Sequence, residues 1–466
     1  MISKYLDKVL IAILFLILAT APTQYSFDFH NAHLSLADPL IWLGGLILFA
    51  SVAVRILHSK DPSSTFTERL LAGLKEILPL PENILFVALI SVSFFKAENK
   101  TETVKELIQV VEYVIAAFLL FSKIRFDDKA LAKAAVLFLS LVSVVVLVAV
   151  FQYFDASVVI MKVKGTFGNR NTYGGFLAVT LPLILSITLL SRKWWMKIWG
   201  LLILAAAGIT VLSGGAAAGL LIAGSLVCVF VSRRAFLIWA TLVAVSVIFV
   251  LPGLPRDNVE TLKQSVRMFD EEGHVEPRYT EWQASVQMWN EQPVLGVGLG
   301  NYQSQIGMNY GFLAIKEGPK EQDHNNLFLV FASSTGLLGL IGLLTMLTLW
   351  FQTTASIFFT CKSGSAANLG MELSSKTKEG GHSCPPARGL ENPRSVEENR
   401  NQNHNETICN TSSASYQQIL ALGAMGAIAA FCITSIWTAL LVRGVFLLFV
   451  IIVAVAVGYG RKPQPN

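Results

Sequence analysis

The sequence predicts an all-α, polytopic membrane protein with about twelve transmembrane helices and one large loop on the outer face. Composition is the first observation. Of 466 residues, 53% are hydrophobic and only 14% charged, against roughly 25% charged in a soluble domain; mean hydropathy is +0.56. Recurrence is the second. Mostly apolar runs close to the roughly 20 residues that a crossing needs repeat along nearly the whole chain. The third is that Lys and Arg gather in alternate short loops, the asymmetry that orients spans.

The first run, Val9–Pro22, follows Lys4 and Lys8. That order resembles a secretory signal, but "ATAP" before bulky "TQYSFDFH" is a modest cleavage site, so an uncleaved span is expected. Pro39–Val54, Ile84–Phe95, Val104–Phe121, Leu131–Phe151 and Tyr173–Leu190 follow. Ile198–Leu212 and Gly215–Val231 form a pair divided near Ser213, where "SGGAAAG" fits either a turn or a kink. Phe236–Leu251, Leu327–Phe351, Ile419–Leu441 and Val445–Tyr459 complete the set.

If each run crosses once, Lys4 and Lys8, the Arg55–Lys75 loop, Lys123–Lys133, Arg192–Lys197, Arg233–Arg234 and Arg461–Lys462 all fall on one side. That side is expected to be cytoplasmic, with both termini on it. Lys96 and Lys100 are the exceptions, beside the short third run. Five regions follow: an N-terminal membrane bundle 1–251, an outer loop 252–326, a membrane helix 327–351, an inner loop 352–418 and a C-terminal membrane hairpin 419–466.

The two long polar loops differ in character. Cys361–Gln418 is rich in Ser, Asn, Gly and Glu and lacks apolar periodicity, so disorder is expected. Its Cys361, Cys384 and Cys409, with His382 and His404, include no C-x-x-C pair, so no metal site is expected there. Cys228 and Cys432 fall in spans and are read as small hydrophobes.

The outer loop carries ordered signals. In "PRYTEWQASVQMWNEQP" Pro277 suits a first helical turn, and Trp282, Val286 and Trp289 recur at helical spacing. Arg278, four residues before Trp282, sits where exposed N–H groups attract anions. Its guanidinium can grip phosphate bidentately. An interfacial helix with Trp282 and Arg278 at lipid headgroups fits the same spacing. Gly296, Gly298 and Gly300 in "PVLGVGLGNY" lack the strand and helix context of a nucleotide loop and are expected to form a flexible turn.

In "DHNN" before Leu327, Asp323 or Asn325 could cap the next helix, while His324 could act as a general base at the membrane face with Asp323 orienting its ring. At the mouth of the sixth span, Asn169, Arg170 and Asn171 fit either a turn with an N-cap or hydrogen bonds to a glycan or diphosphate. Arg443 is expected to snorkel at the last outer turn. Asp270, Glu271, Glu272 and His274 offer paired carboxylates of the kind a glycoside hydrolase or a divalent cation needs; a solvated acidic run fits them too.

"GTFGNRN" at a span mouth, Arg278-x-x-x-Trp282 followed by "PVLGVGLG", and "HNN" opening a "TGLLGL" helix occur in that order. Together they resemble the O-antigen ligase and O-antigen polymerase superfamily. The resemblance covers most of the span pattern and is motif-specific from Gly165 to Leu340. It implies a GT-C-like glycosyltransferase with its active site in a large periplasmic loop. Such an enzyme moves a glycan from an undecaprenyl-diphosphate carrier to an acceptor hydroxyl, with inversion and without metal or other cofactor.

Polysaccharide or lipopolysaccharide assembly at the bacterial inner membrane is the implied setting. Implied partners are the lipid-linked donor, a glycan or lipid-core acceptor and membrane lipids, with no nucleic acid. By resemblance Arg278 engages the diphosphate and His324 acts on the acceptor; Trp282 and Asn325, like Asn169, Arg170 and Asn171, are expected to bind the donor or its glycan. One departure is that "VLSGGAAAGLL" has Ser213, Gly214 and Gly215 where many members carry an arginine. Arg170, Arg256 and Arg267 are candidates for a second diphosphate contact. The Cys361–Gln418 insert is another departure. A lipid transporter is the alternative class, but internal repeats and charged residues within spans, its usual marks, do not stand out. Ligase and polymerase differ only in acceptor.

Overall fold

The computed structural model describes residues 2–21, 26–29, 32–57, 65–123, 128–155, 163–246 apart from 212, 248, 277–309, 326–378 and 416–460 apart from 443. Every expected apolar run contains a helix. Six helices are long and apolar enough to cross a membrane: Ala37–Val54, Lys129–Phe154, Arg170–Leu190, Gly214–Val231, Leu327–Ser363 and Tyr416–Thr434. Lys8–Thr20, Pro81–Phe95, Trp194–Thr210 and Val445–Gly460 are shorter apolar helices. The described residues are therefore predominantly helical, and the chain is a multi-pass membrane protein. The expected number of about twelve spans is reached only by counting two further runs, Val104–Phe121 and Phe236–Leu251, which are not single apolar helices of spanning length.

In chain order the helices are α1 Ile2–Thr20, α2 Ala37–Leu57, α3 Phe66–Ile77, α4 Pro81–Ser91, α5 Lys100–Val111, α6 Phe118–Lys123, α7 Asp128–Phe154, α8 Arg170–Leu190, α9 Trp194–Thr210, α10 Gly214–Val231, α11 Arg233–Val245, α12 Pro277–Glu291, α13 Tyr302–Asn309, α14 Leu327–Lys378, α15 Tyr416–Thr434 and α16 Val445–Gly460. Two additions lie in loops. Ser26–Phe29 and Ala32–Ser35 pair as a small antiparallel hairpin. α3 is closed by a Thr65–Glu68 capping box, in which each residue satisfies the other's backbone N–H.

α16 is buried on nearly every face, as expected of a helix that is apolar all round. Phe449 stacks on Phe431 with ring centres 4.2 Å apart, and Trp350 stacks on Phe118 at 5.0 Å. Between helices in lipid, close packing takes over the role that water exclusion plays elsewhere. α10 shows this through Gly215 and Gly219. A Cβ on Gly219 would stand 2.3 Å from Thr434 Oγ1, and one on Gly215 would stand 2.9 Å from the Trp437 Cβ. The "SGGAAAG" segment is a tight helix seam of the small-x-x-x-small kind, entered by a break between α9 and α10 rather than a kink.

The run Val104–Phe121 needs correction. Its centre, Glu112–Ala117, is a π-helical turn, and Glu112 is buried within it. A charged residue does lie inside an expected span, contrary to the pattern read from the sequence. Such a turn frees backbone groups that need partners. Asn83 supplies one: its Nδ2 donates to the Val114 carbonyl at 2.8 Å, while its Oδ1 accepts from Trp350 Nε1 at 3.0 Å. Asn83 thus ties α4, the π turn and α14 together.

The run Leu327–Phe351 begins where expected and is corrected within its length and at its far end. Gly336 has φ 66° and ψ −167°, a conformation essentially reserved for glycine, so the helix breaks there into Leu327–Thr335 and a longer second part. That second part runs on to Lys378, into the region read as a disordered loop from 352. "SGSAANLGMELSSKTK" carries Ala, Leu, Met, Glu and Lys and no proline, which sustains a helix. The rest of that loop, with Cys384, Cys409, His382 and His404, lies outside the described residues.

Candidate functional site

Several helix ends converge on one end of the bundle. Asn169 caps α8, its Oδ1 accepting from Thr172 N at 2.8 Å. Arg170 is the first residue of α8, and its Nη1 is buried. The Tyr173 hydroxyl meets Thr210 Oγ1 at 2.7 Å, joining the start of α8 to the end of α9. Gly174 packs against Ser213 and Ala216 at the start of α10, and Gly175 against Leu440 beyond α15. From the same stretch, the Ser435 carbonyl accepts from Leu327 N at 2.8 Å. The first residue of α14 is thereby fastened to the mouth that Asn169, Arg170 and Asn171 border.

The cap of α14 is Asn326, not Asp323 or Asn325. Its Oδ1 accepts from Phe328 N at 3.0 Å and Leu329 N at 3.1 Å. The third residue of "HNN" thus has a structural role. Asp323, His324 and Asn325 lie outside the described residues, as do Arg256, Arg267, Asp270, Glu271, Glu272, His274 and Arg443.

Helix α12 forms where Pro277 starts it, with Arg278 in its first turn. Its buried face is Glu281, Ala284, Ser285 and Met288, one step round from the face marked by Trp282, Val286 and Trp289. Small Ala284 and Ser285 let the helix approach its neighbours closely. Ala284 and Met288 cluster with Tyr302 and Ile306, packed on Val297 and Val330. The aromatic face turns outward: Val286 is 41% exposed, and Trp282 is half-buried, edge-on to Tyr279 at 5.2 Å. The Trp282 indole N–H is buried and meets no acceptor among the described residues.

The glycine stretch after α12 is pinned rather than flexible. Val297 N and Gly298 N donate to the Ser333 and Ser334 carbonyls at 2.9 and 2.8 Å, and Leu337 N donates to the Pro293 carbonyl at 2.8 Å. Gly296 has φ 67°, and a Cβ there would stand 2.4 Å from the Ser334 backbone. The turn therefore plugs the break at Gly336. The end of α12 meets Ser333–Leu337, and Val330 packs on the cluster that holds Ala284 and Met288.

The other side of the turn is anchored to the α4–α5 connection. Asn301 is buried; its Oδ1 accepts from Asn99 N at 3.0 Å and its Nδ2 donates to Thr103 Oγ1 at 2.8 Å. Thr103 Oγ1 in turn donates to the Leu299 carbonyl at 2.7 Å. Below α12, the Ser285 and Tyr302 hydroxyls meet at 2.7 Å. Burial holds the Tyr302 phenol well above its ordinary pKa, Ser285 partly offsets this, and the Glu281 charge adds to it.

The sequence did not mark Asn301, Tyr302 or Asn326 as parts of this assembly. "GNY", directly after the glycines, was the available signal.

Residues 201–344 match the family described as O-antigen ligase, and the match supports membership of the O-antigen ligase superfamily. It spans α9 to the second part of α14, including α12 and the Gly336 break. A search of curated proteins finds no match.

Proposed function

We propose that this O-antigen ligase-type chain transfers a glycan from an undecaprenyl-diphosphate carrier to an acceptor hydroxyl at the outer face of the bacterial inner membrane. The observation that carries the proposal is the joint between the turn that ends α12 and the break at Gly336, which holds the Arg278 helix against α14. The termini are then cytoplasmic and the site periplasmic, in keeping with the Lys and Arg distribution.

Transfer is a single displacement, which inverts the anomeric centre. The acceptor oxygen attacks the anomeric carbon, the bond from that carbon to the phosphate oxygen breaks, and the lipid diphosphate leaves with the electron pair. His324 takes the acceptor proton, a contribution worth about 10²–10⁴-fold. Arg278 and the N-terminus of α12 stabilise the charge that grows on the diphosphate, and losing one such preorganised donor costs roughly a hundredfold or more. Arg170, half-buried at the start of α8, is the described candidate for a second diphosphate contact. It stands in for the arginine absent at Ser213–Gly215, where the α10 seam leaves no room for a long side chain at Gly215.

A transporter would be favoured by the buried Glu112 and the broken α14, since both are features of transport sites. Directly after Gly336, however, the Leu337 N–H that such a break would offer a ligand is taken by the Pro293 carbonyl. A polymerase would share every element and differ only in acceptor.

The test is a reconstituted assay with purified chain and lipid-linked glycan donor, offered a lipid-core acceptor or a second donor molecule, with and without EDTA. Transfer in EDTA supports the proposal, and the productive acceptor separates ligase from polymerase. No transfer to either acceptor, with donor moved across the vesicle membrane, supports the transporter. Loss in EDTA with rescue by magnesium would move the chemistry to Asp270, Glu271 and Glu272.

A further inference from the structure

A second feature of the outer region is a cleft of about 260 Å³ between α12, α13, the Gly296 turn and the α4–α5 connection. Its polar lining is Lys96, Glu98, Gln287, Glu291, Gln292 and Gln305. We propose that this cleft binds a neutral, polyhydroxylated stretch of the glycan, away from its diphosphate end; this rests on the glycan-transfer reading.

Chemistry selects the ligand class. Side-chain amides and carboxylates accept hydrogen bonds from hydroxyls, and amide and ammonium groups donate to them. A cleft lined by three glutamines, two glutamates and one lysine can answer a row of hydroxyl groups in both senses. A diphosphate would meet one cation against two carboxylates, the wrong sign for an anion. An isoprenoid tail would find little apolar wall.

Geometry places the cleft at a useful distance. Gln287 and Glu291 lie nine and thirteen residues beyond Arg278 on α12, about 14 and 20 Å along the axis at 1.5 Å per residue. A glycan whose phosphate end is held at the start of α12 would run along the helix into the cleft. The walls are set before any ligand arrives. Gln305 Nε2 donates to Glu98 Oε2 at 2.6 Å, Gln287 Nε2 donates to Glu291 Oε1 at 3.2 Å, and the turn is pinned on Ser333 and Ser334. Preorganisation of this kind lowers the ordering cost of binding.

The probe is the oligosaccharide freed by mild acid from the surface polysaccharide of the cells that make this protein, with neither lipid nor diphosphate. Its binding to purified full-length chain is measured by titration calorimetry. Wild type and Arg278→Ala should bind it equally. Gln287→Leu combined with Gln292→Leu should weaken binding by about tenfold or more, the effect of losing one or more hydrogen-bonding groups. Both glutamines are exposed, and a thermal melt checks folding; Glu291→Gln, which keeps the shape, should weaken binding in the same direction. Unchanged binding by folded cleft variants, or no binding by wild type, overturns the cleft. Failure of wild type to transfer lipid-linked donor while still binding the free oligosaccharide overturns the transfer reading and leaves the cleft standing.

Discussion

Leu337 donates its backbone N–H to the carbonyl of Pro293 at 2.8 Å, across the break in α14. A membrane helix interrupted at Gly336 exposes polar backbone that lipid cannot satisfy. Here the turn that ends α12 satisfies it. The relation is reciprocal: Gly336 makes room for Val294, and Gly296 makes room for Ser334. The position of α12, with Arg278 at its head, is therefore set by a joint some 40 residues further along the chain.

Gly336→Ala should break this joint. The new Cβ would stand 2.1 Å from the Val294 carbonyl oxygen, in a backbone with φ 66°. The expected cost is about 2 kcal/mol or more. Limited proteolysis should then cut the 252–326 loop faster than in wild type, while the transmembrane bundle stays intact. Unaltered proteolysis and melting would show that α12 is held by other contacts.

The sequence made the spans legible because apolar length is itself the physical requirement for crossing. It concealed what depends on distant partners. Gly296 and Gly298 look flexible locally; their rigidity comes from Ser333 and Ser334. The aromatic spacing of Trp282, Val286 and Trp289 marked one face of the helix but not the buried one, which small Ala284 and Ser285 form because they allow the closer approach. Glu112 passed unnoticed inside an apolar run because its environment, a π turn under Asn83, has no sequence signature. The cap fell one residue beyond the expected Asn325, since helix boundaries are the least legible feature of a helix.

Asn301→Ala should loosen the other anchor of the outer region. It removes an acceptor for Asn99 N, in part-buried surroundings, and a donor to Thr103 Oγ1, in buried ones. About 1–3 kcal/mol is expected. Hydrogen exchange should quicken at Asn99–Thr103 and at Leu299–Tyr302 together. Acceleration in only one segment would refute their coupling.

Alkaline pH should weaken the α12–α13 cluster. Tyr302 has its pKa raised by burial, with Glu281 adding to the effect and Ser285 opposing it. A phenol raised in the folded state binds its proton more tightly there, so its contribution is intact below the unfolded value of 10.0 and is lost as pH rises beyond it. Thermal melts followed by tryptophan fluorescence should fall above about pH 10. Tyr302→Phe should start about 1 kcal/mol lower through loss of the Ser285 bond, and then show a flatter alkaline limb. Equal slopes would assign the fall to other groups.

The orientation makes a further prediction. In a chain with its five cysteines replaced, Ser265→Cys in the outer loop should react with an impermeant maleimide in intact cells with a permeabilised outer membrane. Ser395→Cys in the inner loop should react only after the inner membrane is opened. Labelling of Ser395→Cys from outside would invert the orientation and remove the proposed site from the periplasmic face.

Arg278 and His324 should fail in different ways. Arg278 is expected to hold the donor diphosphate, so Arg278→Lys keeps the charge but loses the two-pronged grip and should weaken both donor binding and transfer, the latter by roughly a hundredfold. His324 is expected to take the acceptor proton, so His324→Ala should leave donor binding near wild type and slow transfer by about 10²–10⁴-fold. Both variants should insert normally, because Arg278 lies in the first turn of α12 and His324 precedes α14 in sequence, outside the apolar runs. Asn326→Ala is the control, since it removes the cap of α14 and should lower stability by about 1 kcal/mol. Donor binding, transfer rate and melting measured on all four proteins separate the roles. Near-wild-type transfer by His324→Ala would leave "HNN" with the capping role of Asn326 alone and require another base for the acceptor.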